Sequence, residues 1–508
     1  MSHIKPNSIL MKIMFAAAAV LFGLLFVKNA TVLCTAILPK FTQSGAALAL
    51  MLAALFLMAL ACFGLLLLAR KMDANDKLVL PTWAYYAALF VLAYGLRAVW
   101  LTFVKRPPYS DYELFYWVTN QIALSPDPNY LQGVYFQTWA YQAGFPAFMS
   151  PLAHLFPAQA YPLLYANMVF EAGSVLCIFH LLRGFCKRNT AFVFACVYLL
   201  IPFPYMLVPV YTNQLSAMFF LLLGVCLLFP PKPAGIVRCC LAGLAFAMSN
   251  MLRAEGVLVL GAMCALIVFR LLCRSKTQPV TQRARQALPL AACCAVYLTV
   301  GMLLSSAFVW TGLNPHGLTN AYPLYKFAVG LHESNDGQYT KADADRLMGM
   351  NSDLPADVRD AETLRIIRDR LSIGPQRLLV LFSAKIDVMW TERDRSYPAF
   401  MAMPDDEVVA FPVVALRTET IRNGVALMQS LWNILLFLLA GFLAVRLVRK
   451  AEVAAPITFL YAMSGIILAV FLLIEAQKRY AYILLPFLFL LAMRTLPELH
   501  RLWQSRKK

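Results

Sequence analysis

Long runs of apolar residues dominate the chain, and they restrict what it can fold into more than any other feature. A transmembrane helix needs about 20 consecutive, mostly apolar residues. Read by this rule, the sequence predicts about twelve spans, near residues 10–34, 45–69, 80–103, 160–182, 190–209, 213–230, 237–253, 256–273, 287–310, 423–445, 455–474 and 480–496. We therefore expect an all-α polytopic membrane protein.

The composition supports this reading and excludes a soluble fold. Hydrophobic residues make up 61% of the 508 residues, and charged residues only 14%. Soluble domains contain about 45–50% apolar and about 25% charged residues, so a water-soluble chain could not cover this much apolar surface. The net charge of +18 does not indicate a nucleic-acid partner, because basic residues beside apolar spans are typical of loops near anionic headgroups.

The basic residues also predict the orientation of the chain. Alternate short loops carry them, for example at Arg70, Arg183, Arg238, Arg285 and Arg446. The positive-inside rule places these loops and both termini in the cytoplasm. Four cations on the opposite side go against the rule, namely Lys28, Lys40, Lys105 and Arg106. The pattern fits a multi-pass protein of a bacterial plasma (inner) membrane.

We expect four parts along the chain. Residues 1–70 form an N-terminal transmembrane hairpin, and 71–310 form a transmembrane core whose first outer loop, 104–159, holds short amphipathic helices at the membrane surface. Residues 311–420 form a small extracytoplasmic mixed domain, with helices near 341–350 and 356–372, and hold 16 of the 26 acidic residues. Residues 421–508 form the C-terminal transmembrane helices and a basic cytoplasmic tail.

The acidic residues outside the large loop lie toward the outer ends of the predicted spans. They include Glu171, Glu255 and Glu475, together with Asp111 and Glu113 in the first outer loop. Ionisable groups at membrane depth are costly and usually face a cavity or a partner. The distribution predicts a polar cavity that opens outward. The alternative is a set of headgroup-level ion pairs, such as Glu255 with Arg253.

Asp111 and Glu113 are the sharpest local feature. Two carboxylates at positions i and i+2 point the same way on an extended backbone, but they diverge on a helix. If they converge, one can act as a general base on a hydroxyl group, while the other orients it or binds a metal. The alternative is an ordinary loop with two acids.

Basic residues also gather at the predicted outer face. Lys385 lies in the apolar run 378–390, and Lys478 and Arg479 follow the eleventh span. A cation at headgroup depth suits a phosphate group, which Arg can bind through two parallel hydrogen bonds. Anchoring to lipid headgroups is the alternative.

Several common motifs are absent from the sequence. It contains neither GxxxxGK[ST] nor GxGxxG, so we expect no nucleotide cofactor, and it contains neither HExxH nor GxSxG. If the protein is an enzyme, its activated substrate arrives without a soluble nucleotide.

Four stretches carry a resemblance to a known family. They are Pro108-Tyr-Ser-Asp-Tyr-Glu113, Tyr211-Thr-Asn-Gln214, Val329-Gly-Leu-His-Glu-Ser-Asn-Asp-Gly-Gln-Tyr339, and Glu475-Ala-Gln-Lys-Arg-Tyr480 with Pro486. In order and topology the chain resembles the bacterial integral-membrane glycosyltransferases of the GT-C superfamily. The resemblance is to the family-39 type related to protein mannosyltransferases and lipid A aminoarabinose transferases. It runs from about residue 80 to 496, so the first hairpin looks like an addition to a GT-C-like core.

The resemblance implies a reaction. Members of the family take a sugar from a polyprenyl-phosphate carrier and pass it to a lipid, glycan or protein acceptor at the outer face. It implies Asp111 as the general base, Glu113 as the second acid, and Lys385, Arg479 and Lys478 as ligands of the donor phosphate. We expect Glu171, Glu255, Glu475, Tyr211 and Asn213 to supply polar groups to the cavity. Relatives often carry an acid where this chain has Asn213 and Gln214, so a divalent metal cation is left open.

The mechanism that we expect is a single inverting displacement at the extracytoplasmic face. Two other functions share the topology: a transporter or flippase for lipid-linked glycans, and a ligase that transfers a whole glycan. Transporters usually bind substrate near the membrane midplane on broken helices, whereas the acids here lie toward the outer ends of the spans. The sequence does not separate a ligase from a monosaccharide transferase.

Overall fold

The computed structural model describes residues 3–4, 9–41, 44–74, 80–125, 131, 134–229, 235–272, 280–320, 322–349, 355–412, 414–450 and 453–505. The helices of the first half are α1 Ile9–Val32, α2 Ser44–Ala74, α3 Thr82–Phe103, α4 Ser110–Leu124, α5 Val134–Thr138, α6 Gly144–Leu155, α7 Ala160–Leu182, α8 Arg188–Tyr198, α9 Gln214–Leu228 and α10 Ile236–Leu252. Those of the second half are α11 Gly256–Leu272, α12 Val280–Trp310, α13 Tyr325–Gly330, α14 Lys341–Ala344, α15 Ala356–Leu371, α16 Pro375–Trp390, α17 Thr418–Val448, α18 Ala455–Leu473 and α19 Leu485–Ser505.

Strands contribute little to the described part of the chain. Strand β1 (His3–Ile4) pairs antiparallel with β4 (Val453–Ala454), and β2 (Val408–Ala410) pairs antiparallel with β3 (Ala415–Arg417). In the second pair Val409 lies opposite Leu416. The architecture is therefore the all-α one that the apolar runs predict.

Long apolar helices confirm a multi-pass membrane protein. Among the described residues, seven helices are long and apolar enough to cross a membrane: Ile9–Lys40, Thr82–Phe103, Ala160–Leu182, Ala287–Trp310, Thr418–Val448, Ala455–Leu473 and Lys478–His500. Three shorter apolar helices, Gln214–Leu228, Ile236–Leu252 and Gly256–Phe269, coincide with predicted spans. The predicted count of about twelve spans stays a prediction.

The predicted span 190–209 differs from the structure. Helix α8 has only 11 residues, and a separate 3-10 turn at Phe203–Leu207 follows it. Pro202 and Pro204 explain the break, because proline lacks the amide hydrogen that a continuing helix needs. The end of the predicted basic tail, residues 506–508, lies outside the described residues.

The N-terminal helix packs into the core of the bundle. Phe15 and Phe22 of α1 are buried. The ring of Phe15 meets Tyr461 of α18 edge-to-face at 5.3 Å, and Phe22 lies 6.0 Å from Phe437 of α17. Because burying an aromatic side chain stabilises a fold by about 1.5–3 kcal/mol, α1 is held firmly against the C-terminal helices.

Two of the cations that opposed the predicted orientation are paired with acids of the large loop. Lys28 lies 3.1 Å from Asp387 on α16, and Arg106 contacts Glu407 beside the β2–β3 hairpin. Such pairs lower the cost of a cation on this side of the membrane. Two of the four exceptions to the positive-inside rule, Lys28 and Arg106, therefore have carboxylate partners.

The outer segments contain the predicted short helices. Loop 104–159 holds α4, α5 and α6, and the segment 311–420 holds α13 to α16 and the β2–β3 hairpin. The predicted helices near 341–350 and 356–372 correspond to the turn of α14 with the residues after it and to α15. Parts of these elements meet at one end of the long helices and line the candidate site.

Candidate active site

A cavity of about 930 Å³ lies where five outer segments meet. Its wall comes from the start of α4, the residues before α6, the turn 253–255, the loops of the segment 311–420 and the segment 474–480 before α19. Much of the wall is aromatic, with Tyr109, Tyr112, Tyr135, Trp139, Tyr325 and Tyr480 among its residues. An apolar cavity with a few convergent charges is the usual form of a small-molecule site.

Asp111 faces this cavity from the first turn of α4. Its carboxylate accepts a hydrogen bond from Arg479 at 3.1 Å, and the same guanidinium donates to the hydroxyl of Tyr112 at 3.0 Å. The Asp111 side chain is still 38% exposed. An accessible carboxylate at the N-terminus of a helix is stabilised by the helix dipole and can accept a proton from a bound hydroxyl group.

The backbone at the start of α4 has an unusual conformation. Ser110, directly before Asp111, has a φ of 52°, which residues other than glycine rarely adopt. A residue in this region costs of order 1–3 kcal/mol and tends to occur at functional sites. Because of this turn at Ser110, α4 begins at the wall of the cavity and Asp111 lines it.

Glu113 does not join Asp111. Both residues lie in the first turn of α4, where successive side chains are separated by about 100° around the axis. Glu113 is therefore turned away from its neighbour; it is exposed and does not line the cavity. The interpretation of an acidic pair that converges on one point is wrong, because the segment is helical and not extended.

Three cations surround one aromatic ring in the cavity. Arg253, Lys326 and Arg479 lie 5.2, 5.3 and 6.0 Å from the centre of the Tyr480 ring. A cation over the face of a tyrosine is stabilised by about 0.5–2 kcal/mol. The ring thus holds three positive charges close together at one end of the membrane helices.

Each of these cations also has a carboxylate partner. Arg253 contacts Glu255, Arg479 contacts Asp111, and Lys326 lies 3.4 Å from Glu475. The cavity is therefore electrically balanced without a ligand. An anionic ligand has to displace or share these carboxylates to reach the cations.

Glu475 is the centre of a hydrogen-bonded group. It accepts from Gln477 at 2.6 Å and from the hydroxyl of Tyr480 at 3.3 Å. Lys326 donates to the same hydroxyl at 2.9 Å. Burial alone would lower the pKa of Lys326, but the neighbouring Tyr141, Tyr480 and Glu475 outweigh it and raise this pKa. Lys326 is therefore a permanent cation of the cavity.

Lys385 lies behind the cavity wall and not in it. Its ammonium group donates to the carbonyl oxygens of Gly330 at 2.7 Å and Ile474 at 2.6 Å, and the residue is fully buried. Burial lowers the pKa of Lys385 to about 7, although Glu475 acts in the opposite direction. Lys385 thus links α16 to the chain at Gly330 and at Ile474, behind Lys326 and Glu475. Its role is structural.

Glycine is required where those segments meet. A Cβ atom on Gly330 would lie 2.2 Å from the carbonyl carbon of Ile474. Gly337 has a φ of 69°, and its carbonyl accepts from the amide of Ala476 at 2.8 Å. The resembling stretches 329–339 and 475–480 are therefore in direct backbone contact, 136 or more residues apart in the chain.

Lys478 lines the cavity, but its ammonium group is engaged elsewhere. It pairs with the buried Glu392 at 2.8 Å and donates to the carbonyl of Thr391. Breaking a buried pair costs about 3–5 kcal/mol. Lys478 thus fixes the loop after α16 to the segment before α19.

The remaining predicted polar residues surround the site at different distances. Glu255 and Glu475 line the cavity, whereas Glu171 is buried in α7 and pairs with Arg97 of α3 at 2.6 Å. The prediction that Glu171 faces the cavity is wrong, because Arg97 satisfies it within the bundle. Tyr211 is also buried, with its hydroxyl 3.0 Å from that of Thr119.

The turn 211–214 supports two of the cations. Asn213 accepts from Arg253 at 3.2 Å and donates to Gln142 at 3.0 Å. Gln214 donates to the backbone carbonyl of Arg479 at 2.6 Å. Asn213 therefore acts one layer behind the wall, by positioning Arg253.

Sequence reasoning missed Lys326 and gave Arg253 only as a partner of Glu255. One signal for Lys326 was available: it is a lone cation in the stretch Tyr325–Gly330, directly before the resembling segment. The signal did not separate it from Lys385, which also lies among apolar residues.

The donors around the cavity do not suit a divalent cation. Among the described residues no group of three or more His, Cys, Asp or Glu side chains could hold a metal ion. Asp111, Glu255 and Glu475 each face a cation, whereas magnesium and calcium sites need clustered oxygen ligands. The cavity carboxylates are therefore engaged by cations and do not form a cluster of oxygen ligands.

Comparison with known proteins gives likeness to solved structures only. No protein-family model matches the chain, and no curated protein matches it. Among solved structures it is similar to the archaeal oligosaccharyltransferase AglB from Archaeoglobus fulgidus, in complex with an inhibitory peptide and a dolichol-phosphate. The two are 13% identical with a TM-score of 0.43, and the match covers 83% of this chain and 52% of that chain. The chain thus spans about half the length of that structure.

Proposed function

We propose that the protein is a GT-C-type membrane glycosyltransferase. It moves a sugar from a polyprenyl-phosphate carrier to an acceptor at the extracytoplasmic face of the plasma membrane. One observation carries the proposal: a single cavity at the ends of the long apolar helices holds an accessible carboxylate, Asp111, beside the cations Arg253, Lys326 and Arg479.

The three cations are suited to the phosphate of the donor. Arginine binds a phosphate through two parallel hydrogen bonds, and lysine adds a point charge. This assignment replaces Lys385 and Lys478 as direct phosphate ligands, because their ammonium groups are occupied by Gly330, Ile474 and Glu392. Arg479 keeps the role that the sequence predicts for it.

Asp111 is the proposed general base. The acceptor hydroxyl or amine attacks the anomeric carbon, and its proton passes to the Asp111 carboxylate. The bond between that carbon and the phosphate oxygen breaks, and polyprenyl phosphate leaves with the bonding electron pair. Arg253, Lys326 and Arg479 stabilise the negative charge that develops on the leaving phosphate. One displacement inverts the anomeric carbon.

Charge balance in the cavity favours a defined order of events. Arg479 holds Asp111 when no ligand is bound. A donor phosphate competes for this guanidinium, and its arrival frees the Asp111 carboxylate for the acceptor. Glu113 is exposed away from the cavity and takes no part.

The large outer segment covers the cavity and contacts the acceptor. Tyr325, Gln338, Tyr339, Ser396 and Met401 all belong to it and line the cavity. Side chains from this segment are therefore placed to select the acceptor, which can be a lipid, a glycan or a protein.

The test uses the purified protein in detergent with a panel of radiolabelled polyprenyl-phosphate sugars. Release of the sugar to water or to added glycolipid is followed for the wild type and for Asp111→Asn. Release that requires Asp111 supports a lipid-linked sugar transferase. If a folded protein binds the carriers but releases sugar from none of them, the proposal fails and a transporter becomes the better account.

A further inference from the structure

A second cavity, of about 560 Å³, adjoins the first. Three arginines line it, Arg393, Arg395 and Arg422. It shares three wall residues with the first cavity, namely Asp394, Ser396 and Met401. The loop after α16 therefore separates two neighbouring chambers, and the proposed reaction uses only the first.

The second cavity lies at the ends of two long apolar helices. Arg422 is one turn from Thr418, the first residue of the apolar helix α17. Lys40 ends the apolar helix that begins at Ile9, and it lies within electrostatic reach of Arg395 and Arg422. The end of a membrane helix is the depth at which lipid phosphates lie.

Ion pairs already engage two of the three arginines here. Arg422 pairs with Asp405 at 2.7 Å, and Arg393 lies 3.1 Å from Asp387, which Lys28 also contacts at 3.1 Å. Asp394 and Glu419 are the other acids near the cavity. Two of the three arginines that line the cavity, Arg393 and Arg422, are therefore each paired with a carboxylate.

Arg395 differs from the other two arginines, because no carboxylate among the described residues pairs with it. It is half-buried, and its guanidinium contacts the neutral side-chain amide of Asn423. The Nε atom of Arg422 is buried and has no hydrogen-bond partner in the described part of the chain. A guanidinium without a carboxylate partner suits the single negative charge and multiple acceptor oxygens of a phosphodiester.

We infer that the second cavity is a binding site for the phosphate group of an anionic membrane lipid, with Arg395 as its principal ligand. The guanidinium of Arg395 binds the phosphate oxygens, and Arg393 and Arg422 add positive potential. Met401, which is 61% exposed, offers an apolar contact to the lipid between the two chambers. The three arginines of this site take no part in the proposed sugar transfer, and the inference does not depend on that reaction.

The test measures lipid binding directly. An acyl-labelled fluorescent phosphatidylglycerol is titrated against the purified full-length protein in detergent, and zwitterionic phosphatidylcholine serves as the reference lipid. We expect the wild type to prefer phosphatidylglycerol. Arg395→Ser should weaken its binding roughly ten-fold or more, because a charge-assisted contact is lost. Arg368→Ser, which removes an exposed arginine of α15, should leave binding unchanged.

Four outcomes bear on the inference. Equal binding of phosphatidylglycerol by the wild type and a folded Arg395→Ser variant would overturn it, as would equal binding of the two lipids by the wild type. Competition by inorganic phosphate would support recognition of the phosphate group from either source, and its failure to compete would assign the site to lipid-borne phosphate. If Arg395→Ser does not fold, Arg393→Ser provides the same comparison. No sugar is present, so failure here is distinct from failure of the proposed transferase.

Discussion

The guanidinium of Arg479 lies 3.1 Å from the carboxylate of Asp111, although 368 residues separate them in the chain. Asp111 lies in the first turn of α4, and Arg479 lies in the 3-10 segment Lys478–Leu484 that leads into α19. Their contact joins the proposed base to the proposed phosphate ligand, so binding of the donor and readiness of the base are linked in one ion pair.

Replacement of Arg479 should therefore affect both binding and chemistry. We expect Arg479→Ala to lower kcat by about 10²–10³, the usual effect of removing one preorganised donor to a developing charge. Arg479→Lys should recover only part of this loss, because lysine cannot form the two parallel hydrogen bonds. Steady-state kinetics with a polyprenyl-phosphate sugar measure both variants. Wild-type kcat in Arg479→Ala would contradict the assignment.

Lys326 gives a second prediction about the cavity cations. Lys326→Met should lower kcat/KM for the donor by about ten-fold to a hundred-fold, since a charge-assisted contact is worth about 1.5–3 kcal/mol. Lys341, an exposed lysine of the same outer segment, supplies the control variant Lys341→Met, which should keep wild-type kinetics. Equal kinetics in the two variants would show that Lys326 does not bind the donor phosphate.

Lys385 should influence stability in a pH-dependent way. Burial lowers its pKa in the folded protein to about 7, whereas an unfolded lysine titrates near 10.4. Between these values the unfolded chain binds more protons, so the free energy of unfolding rises with pH. The expected slope is of the order of 1 kcal/mol per pH unit above pH 7.

The comparison is the thermal unfolding of wild type and Lys385→Met in detergent from pH 7 to 9. The variant should be less stable, because two buried carbonyl groups lose their donor, and it should lack the part of the pH dependence that comes from Lys385. Parallel pH profiles for the two proteins would show that this lysine is not buried as described.

The close contact between Gly330 and Ile474 predicts that one added methyl group lowers the stability of the protein. Gly330→Ala should destabilise the protein by about 1–3 kcal/mol, as overpacking does, because its Cβ would lie 2.2 Å from Ile474. Gly301→Ala is the matched control, since a Cβ there meets no atom within 4 Å in the middle of α12. Thermal unfolding of both variants measures the difference, and equal stabilities would place the two loops further apart.

The apolar runs predict most of the fold because hydrophobic length is a local property of the sequence. The predicted spans 80–103, 160–182 and 455–474 agree closely with α3, α7 and α18. The exception, 190–209, contains two prolines that end the helix early although the run stays apolar. Hydropathy measures how apolar a run is, but it takes no account of the backbone amide hydrogen that each proline lacks.

The site was harder to predict because its chemistry depends on distant partners. Lys385 and Lys326 look alike in the sequence, and only the fold places one against carbonyl groups and the other in the cavity. The position of Glu171 was equally hard to predict, because its ion-pair partner Arg97 lies 74 residues away in the chain. Asp111 and Arg479 could be predicted as site residues because each lies in a stretch that resembles the GT-C glycosyltransferases, 108–113 and 475–480.

The most direct test compares Asp111→Asn with Glu113→Gln in a single-turnover transfer assay, with the enzyme in excess over a radiolabelled polyprenyl-phosphate sugar. Both variants remove one carboxylate charge from the first turn of α4, but only Asp111 lines the cavity. We expect a loss of about 10²–10⁴ in rate for Asp111→Asn, the usual contribution of a general base, and a wild-type rate for Glu113→Gln. Full transfer by Asp111→Asn would show that Asp111 is not the general base.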